Sequence, residues 1–177
     1  MGDKRTTTVF LDKNFDDIIF RNPSAGSLNF HQVIREILSY IAEDQKSTYK
    51  VIIGSDASGG AMADFVSVIA VHRIGKGGRY FWYKTDKQVV YNLRDKIYRE
   101  VMMTLELAQI FPKALQEQAH MLSLSNFSFE IHVDVGEKGD TKELIREVVG
   151  MVRGIGFEVV TKPYSFCASS IADKYTS

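Results

Sequence analysis

The feature that most constrains this chain is the stretch from residue 49 to residue 85. Residues 49–55, 65–74 and 79–85 are three runs of β-branched and aromatic side chains, separated by the Gly-rich segments 57–64 and 75–78. Such runs with short Gly-containing connections read as three consecutive antiparallel strands, a meander. Ahead of them, Phe30, Val33, Ile34, Ile37, Leu38 and Ile41 recur at helical spacing, and the polar residues 43–48 end that helix. Behind them, residues 92–111 carry Leu93, Ile97, Val101, Leu107 and Phe111 on one helical face. Pro112 is expected to stop this helix, with 113–120 forming a short second turn. Residues 127–135 then alternate as a strand. Asp140 and Glu143 read as the ends of a capping box for a helix bearing Leu144, Ile145, Val148, Val152 and Ile155, closed by Gly156. A short strand over 157–162 ends at Pro163, and 168–175 are expected to form a terminal helix. Three antiparallel strands followed by strand-helix units predict a mixed α/β fold. Its sheet has five strands, three antiparallel then two parallel, with helices on both faces.

At 177 residues and 45% hydrophobic content, the chain is the size of one ordinary domain. Residues 1–27 read as an N-terminal arm, in which Phe15, Ile18, Ile19 and Phe20 form an apolar group without sustained period, and 28–177 as the single domain. Lys plus Arg and Asp plus Glu balance at 22 each, so the chain as a whole does not attract a polyanion. Any nucleic acid must therefore meet a local patch. The one cysteine, Cys167, excludes an intramolecular disulfide framework, and no clustered Cys/His spacing supports structural zinc. The apolar runs fall far short of the ~20 residues that cross a bilayer. A soluble cytoplasmic protein with no membrane association is expected.

Carboxylates carry the chemical signal. Asp56 stands where the apolar run 51–53 passes into a Gly-rich turn; an Asp capping its own turn gives the same local sequence. Asp134 closes the strand 127–135 and shares its face with Glu130 and His132, a polar face that must be satisfied if it is buried. At ~100° per residue, Glu100 falls inside the apolar stripe of the 92–111 helix, whereas Glu106 points off it. Asp173 is a fourth candidate, although an exposed helical Asp beside Lys174 reads equally well. Converging carboxylates suit Mg²⁺ or Mn²⁺, and two such ions about 4 Å apart suit phosphodiester hydrolysis. Lys96 and Arg99 lie near the start of the helix that bears Glu100. With Ser58 beside Asp56 and His132 beside Asp134, they are the candidate substrate contacts.

The order of elements and the placing of Asp56, Glu100 and Asp134 resemble the ribonuclease H-like superfamily. More narrowly, the chain resembles the bacterial YkuK-type family in Ile53-Gly54-Ser55-Asp56, His132-Val133-Asp134-Val135-Gly136, Gly156-Phe157-Glu158 and the segment from Lys162-Pro163-Tyr164 to Ser170. The resemblance runs from about residue 28 to the end. It implies metal-dependent cleavage of RNA or an RNA-DNA hybrid, with Asp56, Glu100 and Asp134 as metal ligands and Asp173 as a further catalytic carboxylate. The alternative from another class is a ribonuclease H-like domain that serves as a binding or scaffolding module. A third reading takes 56–59 as the phosphate-contacting hairpin of actin-like sugar kinases, which the presence of only one such domain disfavours.

Overall fold

The computed structural model describes residues 14–119 and 126–165. A seven-stranded sheet runs in the order β2-β1-β6-β5-β3-β8-β9. Its centre is the expected meander: β3 (Tyr49–Ala57) pairs antiparallel with β5 (Phe65–Arg73), and β5 with β6 (Gly78–Lys84). On the other side β3 pairs parallel with β8 (Phe127–His132), and β8 with β9 (Glu158–Val160). These five strands reproduce the predicted three antiparallel and two parallel. The count of five is corrected to seven by β1 (Ile19–Asn22) and β2 (Gly26–Asn29), a hairpin that straddles the expected boundary between arm and domain at residues 27 and 28. Arg21 of β1 registers opposite Trp82 of β6. Ile18, Phe20 and Leu28 of this region are buried in the main core, so tertiary pairing supplies an order that four-residue segments cannot reveal by period.

Helix α1 (Phe30–Ala42) starts at a capping box in which Asn29 and Gln32 exchange side-chain and backbone hydrogen bonds. Helix α2 (Leu93–Ala119) passes straight through Pro112. Proline removes one helical hydrogen bond, but Phe111 and Leu115 on either side are both fully buried, and that packing carries the helix past the expected stop. The predicted capping box at Asp140 and Glu143 does not form. A 3₁₀ turn (Lys142–Leu144) leads into α3 (Ile145–Gly154) without a side-chain cap, while the Thr141 hydroxyl accepts from the Gly136 N–H at 3.1 Å. Gly156, at φ 89°, follows α3 as expected.

Buried residues of α1, α2 and α3 join Val51, Ile53, Phe65 and Phe81 in one core on one sheet face. The second cluster, Ile52, Val66, Val68, Ala70 and Trp82, is made of strand residues alone among the described residues. Among the described residues, the expected helices on both faces are seen on one face only. The predicted terminal helix over 168–175 lies outside the described residues. A two-stranded ribbon of β4 (Met62–Ala63) and β7 (Gln88–Val89), which the sequence reading does not anticipate, lies beyond the end of β3 that carries Asp56.

Candidate metal centre

The site begins with the register of two parallel strands. Gly54 of β3 lies opposite His132 of β8, and Asp56 and Asp134 each stand two residues further along. Asp134 is past the end of the strand proper, in a segment held to β9 and its continuation by Val133 N–H to Val160 O at 3.0 Å and Lys162 N–H to Val135 O at 2.8 Å. Gly136 eases this close approach, because a Cβ there would lie 3.0 Å from the Lys162 Cβ and press that side chain to shift.

Helix α2 supplies the third carboxylate. It is anchored across β3 by a hydroxyl chain: Thr104 Oγ1 donates to the Glu100 carbonyl at 2.8 Å and sits 2.9 Å from Ser55 Oγ, itself 2.8 Å from Ser67 Oγ. All three hydroxyls are buried. They fix the turn of α2 that carries Glu100 against the end of β3, and the Ala57 N–H reaches both the Asp56 carboxylate, at 2.9 Å, and that of Glu100.

Glu100 is only 4% exposed, yet its Oε1 has no hydrogen-bond partner. Lys96 Nζ approaches that oxygen to 3.7 Å, one turn earlier on the same helix. Burial first, then the negative charges of Asp56 and Asp134, push the Glu100 carboxyl well above the ordinary glutamate range; Lys96 and the Ala57 N–H oppose this without reversing it. Three carboxylates thus face one another at one end of the central strands. Asp56 is 8% exposed, and the Asp134 side chain 28%.

Asp134 Oδ1 lies 3.1 Å from Lys162 Nζ. Among the described residues, no three His, Cys, Asp or Glu side chains are drawn together tightly enough to hold one ion in this arrangement. The donor chemistry nevertheless fits a hard divalent cation: a buried, orphaned carboxylate oxygen, two further carboxylates beside it, and no thiolate or imidazole in the set.

The other candidates are dispersed. Asp173 lies outside the described residues. The His132 ring is buried and 3.3 Å from Glu130 Oε2, while the other oxygen of Glu130, Oε1, pairs with Lys50 at 2.7 Å; burial lowers the histidine's pKa. Strand alternation placed Glu130 and His132 on one face, as found, but their partners are each other and Lys50. Arg99 pairs with Asp95 at 2.9 Å and reaches Gln88 at 3.4 Å. The Ser58 hydroxyl accepts from the Asp64 N–H at 3.1 Å and so closes the turn after β3. Of the four candidate substrate contacts, Lys96 approaches a carboxylate of the site, that of Glu100, at 3.7 Å. Glu106, expected to point off the core stripe, is buried at 8% exposure. Sequence reasoning did not single out Lys162; its one visible signal is its place in the Lys162-Pro163-Tyr164 motif.

Comparison with known proteins agrees with this arrangement. The family model for ribonuclease H-like proteins matches residues 32–177. The chain is also 30% identical over 174 residues to the uncharacterized protein YkuK of Bacillus subtilis (strain 168), an alignment covering 91% of this chain and 98% of that protein. This chain is a YkuK-type member of the ribonuclease H-like family. No solved structure matches it. The ribonuclease H-like match begins inside α1, so the β1–β2 hairpin precedes it, and it takes in Asp56, Glu100 and Asp134 alike.

Proposed function

We propose that this chain is a divalent-metal-dependent nuclease that hydrolyses phosphodiester bonds of RNA or an RNA-DNA hybrid. The observation that carries the reading is Glu100: a buried carboxylate with an orphaned oxygen, set between Asp56 and Asp134. A fold gains nothing from three like charges at one strand end, and a bound cation is the simplest group to balance them. Asp56, Glu100 and Asp134 would hold Mg²⁺ or Mn²⁺. When bound, such ions polarise a phosphoryl oxygen and make water a stronger nucleophile. The Ser55–Thr104 contact keeps Glu100 aimed at the end of β3, and Lys96 offsets part of its charge. Membership of the ribonuclease H-like family supports the nucleic-acid substrate. No helix of the described residues is long and apolar enough to cross a membrane.

The ion pair of Asp134 with Lys162 favours a second reading, in which the domain binds nucleic acid without cleaving it. Calorimetric titration of Mn²⁺ into the metal-stripped chain separates the two. Saturable binding that Asp56→Asn and Asp134→Asn both abolish, in variants that retain their circular dichroism, supports the nuclease and justifies a screen of RNA, hybrid and DNA. An absence of binding even at saturating metal overturns it in favour of the binding module.

A further inference from the structure

A long trough leads away from Asp134. Its first part, about 520 Å³, lies between Gly136, Lys138, Lys162 and Tyr164, directly behind the Asp134–Lys162 pair. The second, about 820 Å³, runs along the outer face of α3 and over Val159 of β9. Glu137 and Thr161 line both, so the two adjoin.

Charge along this trough is unlike that of the rest of the molecule. Lys138, Lys142, Arg146, Arg153 and Lys162 line it against only Glu137 and Glu143, in a chain whose net charge is zero. Elsewhere the surface cations are mostly committed: Arg73 and Arg79 to Glu43, Lys76 to Asp44, Lys84 to Asp64, Arg94 to Glu147. Lys138, Lys142, Arg146 and Arg153 form no ion pair among the described residues. This is the local basic patch that a neutral chain needs to hold a polyanion.

The spacing is ordered. Lys142, Arg146, Val149 and Arg153 follow one another at i, i+4, i+7 and i+11, a single helical stripe. Arg146 and Arg153 are separated by about 10.5 Å along the axis at 1.5 Å per residue. Between the cations the floor is apolar, formed by Ile145, Val149 and Val159. At the end next to Asp134 stands Tyr164, whose side chain is 73% exposed, an unusual position for an aromatic ring with no solubility role. A row of cations with an apolar floor and a projecting ring is the pattern that tracks a phosphodiester backbone and stacks its bases.

We propose that the trough from Tyr164 to Arg153 binds single-stranded nucleic acid and delivers it to the carboxylates, with Lys142, Arg146 and Arg153 meeting phosphates along one strand and a base stacked on Tyr164. One row of cations follows one strand, whereas a duplex presents two backbones. The trough is concave and adjoins the carboxylate site through Lys162, which lines it and pairs with Asp134, and this suits a threaded polymer better than a flat membrane surface. This deepens the nuclease reading by naming its substrate as unpaired at the site.

The test is fluorescence anisotropy of a short labelled oligouridylate with the full-length chain in EDTA, across a salt series. The double variant Arg146→Gln/Arg153→Gln is expected to weaken binding at least about tenfold and to reduce the salt slope by about 1.4, roughly 0.7 for each phosphate of a single strand that no longer meets a cation. Tyr164→Leu is expected to weaken it about tenfold with the slope unchanged, the sign of lost stacking. Arg146→Lys/Arg153→Lys should keep the slope, and Arg21→Gln, on a strand at the other side of the sheet, should change nothing. Wild-type binding that these trough variants leave intact overturns the inference. So does displacement of the oligonucleotide by polyglutamate at equal charge concentration, which would make the trough a site for acidic protein. Because EDTA prevents turnover, the two readings fail separately. Trough-dependent binding without cleavage under any metal removes the nuclease alone. Cleavage with trough-independent binding removes this inference alone.

Discussion

The two ends of β3 carry similar numbers of charged and polar groups and treat them in opposite ways. At its start, every group has its complement. The Tyr49 hydroxyl donates to the Asp44 carbonyl at 2.8 Å and accepts from Arg73 Nε at 2.9 Å, while Arg73 also reaches the Tyr40 carbonyl and Glu43. Arg73 and Arg79 stack over the Tyr40 ring, and Lys76 closes on Asp44 at 2.7 Å. At its finish, burial and the charges of Asp56 and Asp134 raise the Glu100 carboxyl well above the ordinary glutamate range, and among the described residues one buried oxygen of Glu100 has no hydrogen-bond donor. Complementary charges fasten the helix α1 to the sheet; like charges held together by the same strand are a cost that only a ligand removes. The contrast separates groups retained for folding from groups retained for chemistry, within a single nine-residue strand.

The sharpest way to break this comparison is to neutralise one group at each end. Glu100→Gln should lower Mn²⁺ affinity by more than about 100-fold, since loss of a ligand exceeds the ~10–100-fold cost of removing a supporting group. Calorimetry checks this, and the same variant should unfold at a higher temperature than the wild type when metal is absent. A lower melting temperature would show that the carboxylate is structural after all. Tyr49→Phe at the other end should cost about 1 kcal/mol in urea unfolding, one net hydrogen bond, and leave metal affinity unchanged.

The smallest expected effect concerns acid stability. Hydrogen bonds from Lys76 first, and from Ser47 second, hold the Asp44 carboxyl well below the ordinary aspartate value of 3.8. A depressed folded-state pKa contributes stability that is present above the ordinary value and is lost as pH falls through the folded one. Asp44→Asn should therefore lower stability modestly in the neutral range and flatten the profile on its acid side, below about pH 4. This pair is solvent-exposed and screened, so the shift is modest. An unaltered acid limb would mean that the Lys76 contact does not persist in solution.

Much of the central architecture was legible before any coordinates. Alternation and Gly punctuation located β3, β5, β6 and β8, and helical spacing located α1 and α3, because each of these is long enough to bury a periodic face, while Gly156 and Pro163 bracketed the three-residue β9. The failures have specific causes. β1 and β2 are four-residue segments, too short for a period, and gain order from pairing with each other and with β6. The stop at Pro112 was overruled by burial of Phe111 and Leu115. Asp140 and Glu143 had the spacing of a capping box, but Thr141 bonds Gly136 instead, an interaction across a loop that local sequence does not encode. Within the site, Glu100 was legible as a polar residue inside an apolar stripe. His132 and Arg99 were legible as polar neighbours, but not as groups already bound to Glu130 and Asp95.

What the sequence determined by itself is the set of elements and which carboxylates stand at their ends, since periodicity and turn chemistry are local properties of the chain. Tertiary structure decided their company. Only the parallel register of β3 on β8 puts Asp134 level with Asp56, only the Ser55–Thr104 contact brings Glu100 to them, and only the approach at Gly136 seats Lys162 beside Asp134. Electrostatic energy depends on distances between residues far apart in the chain, and folding alone sets those distances.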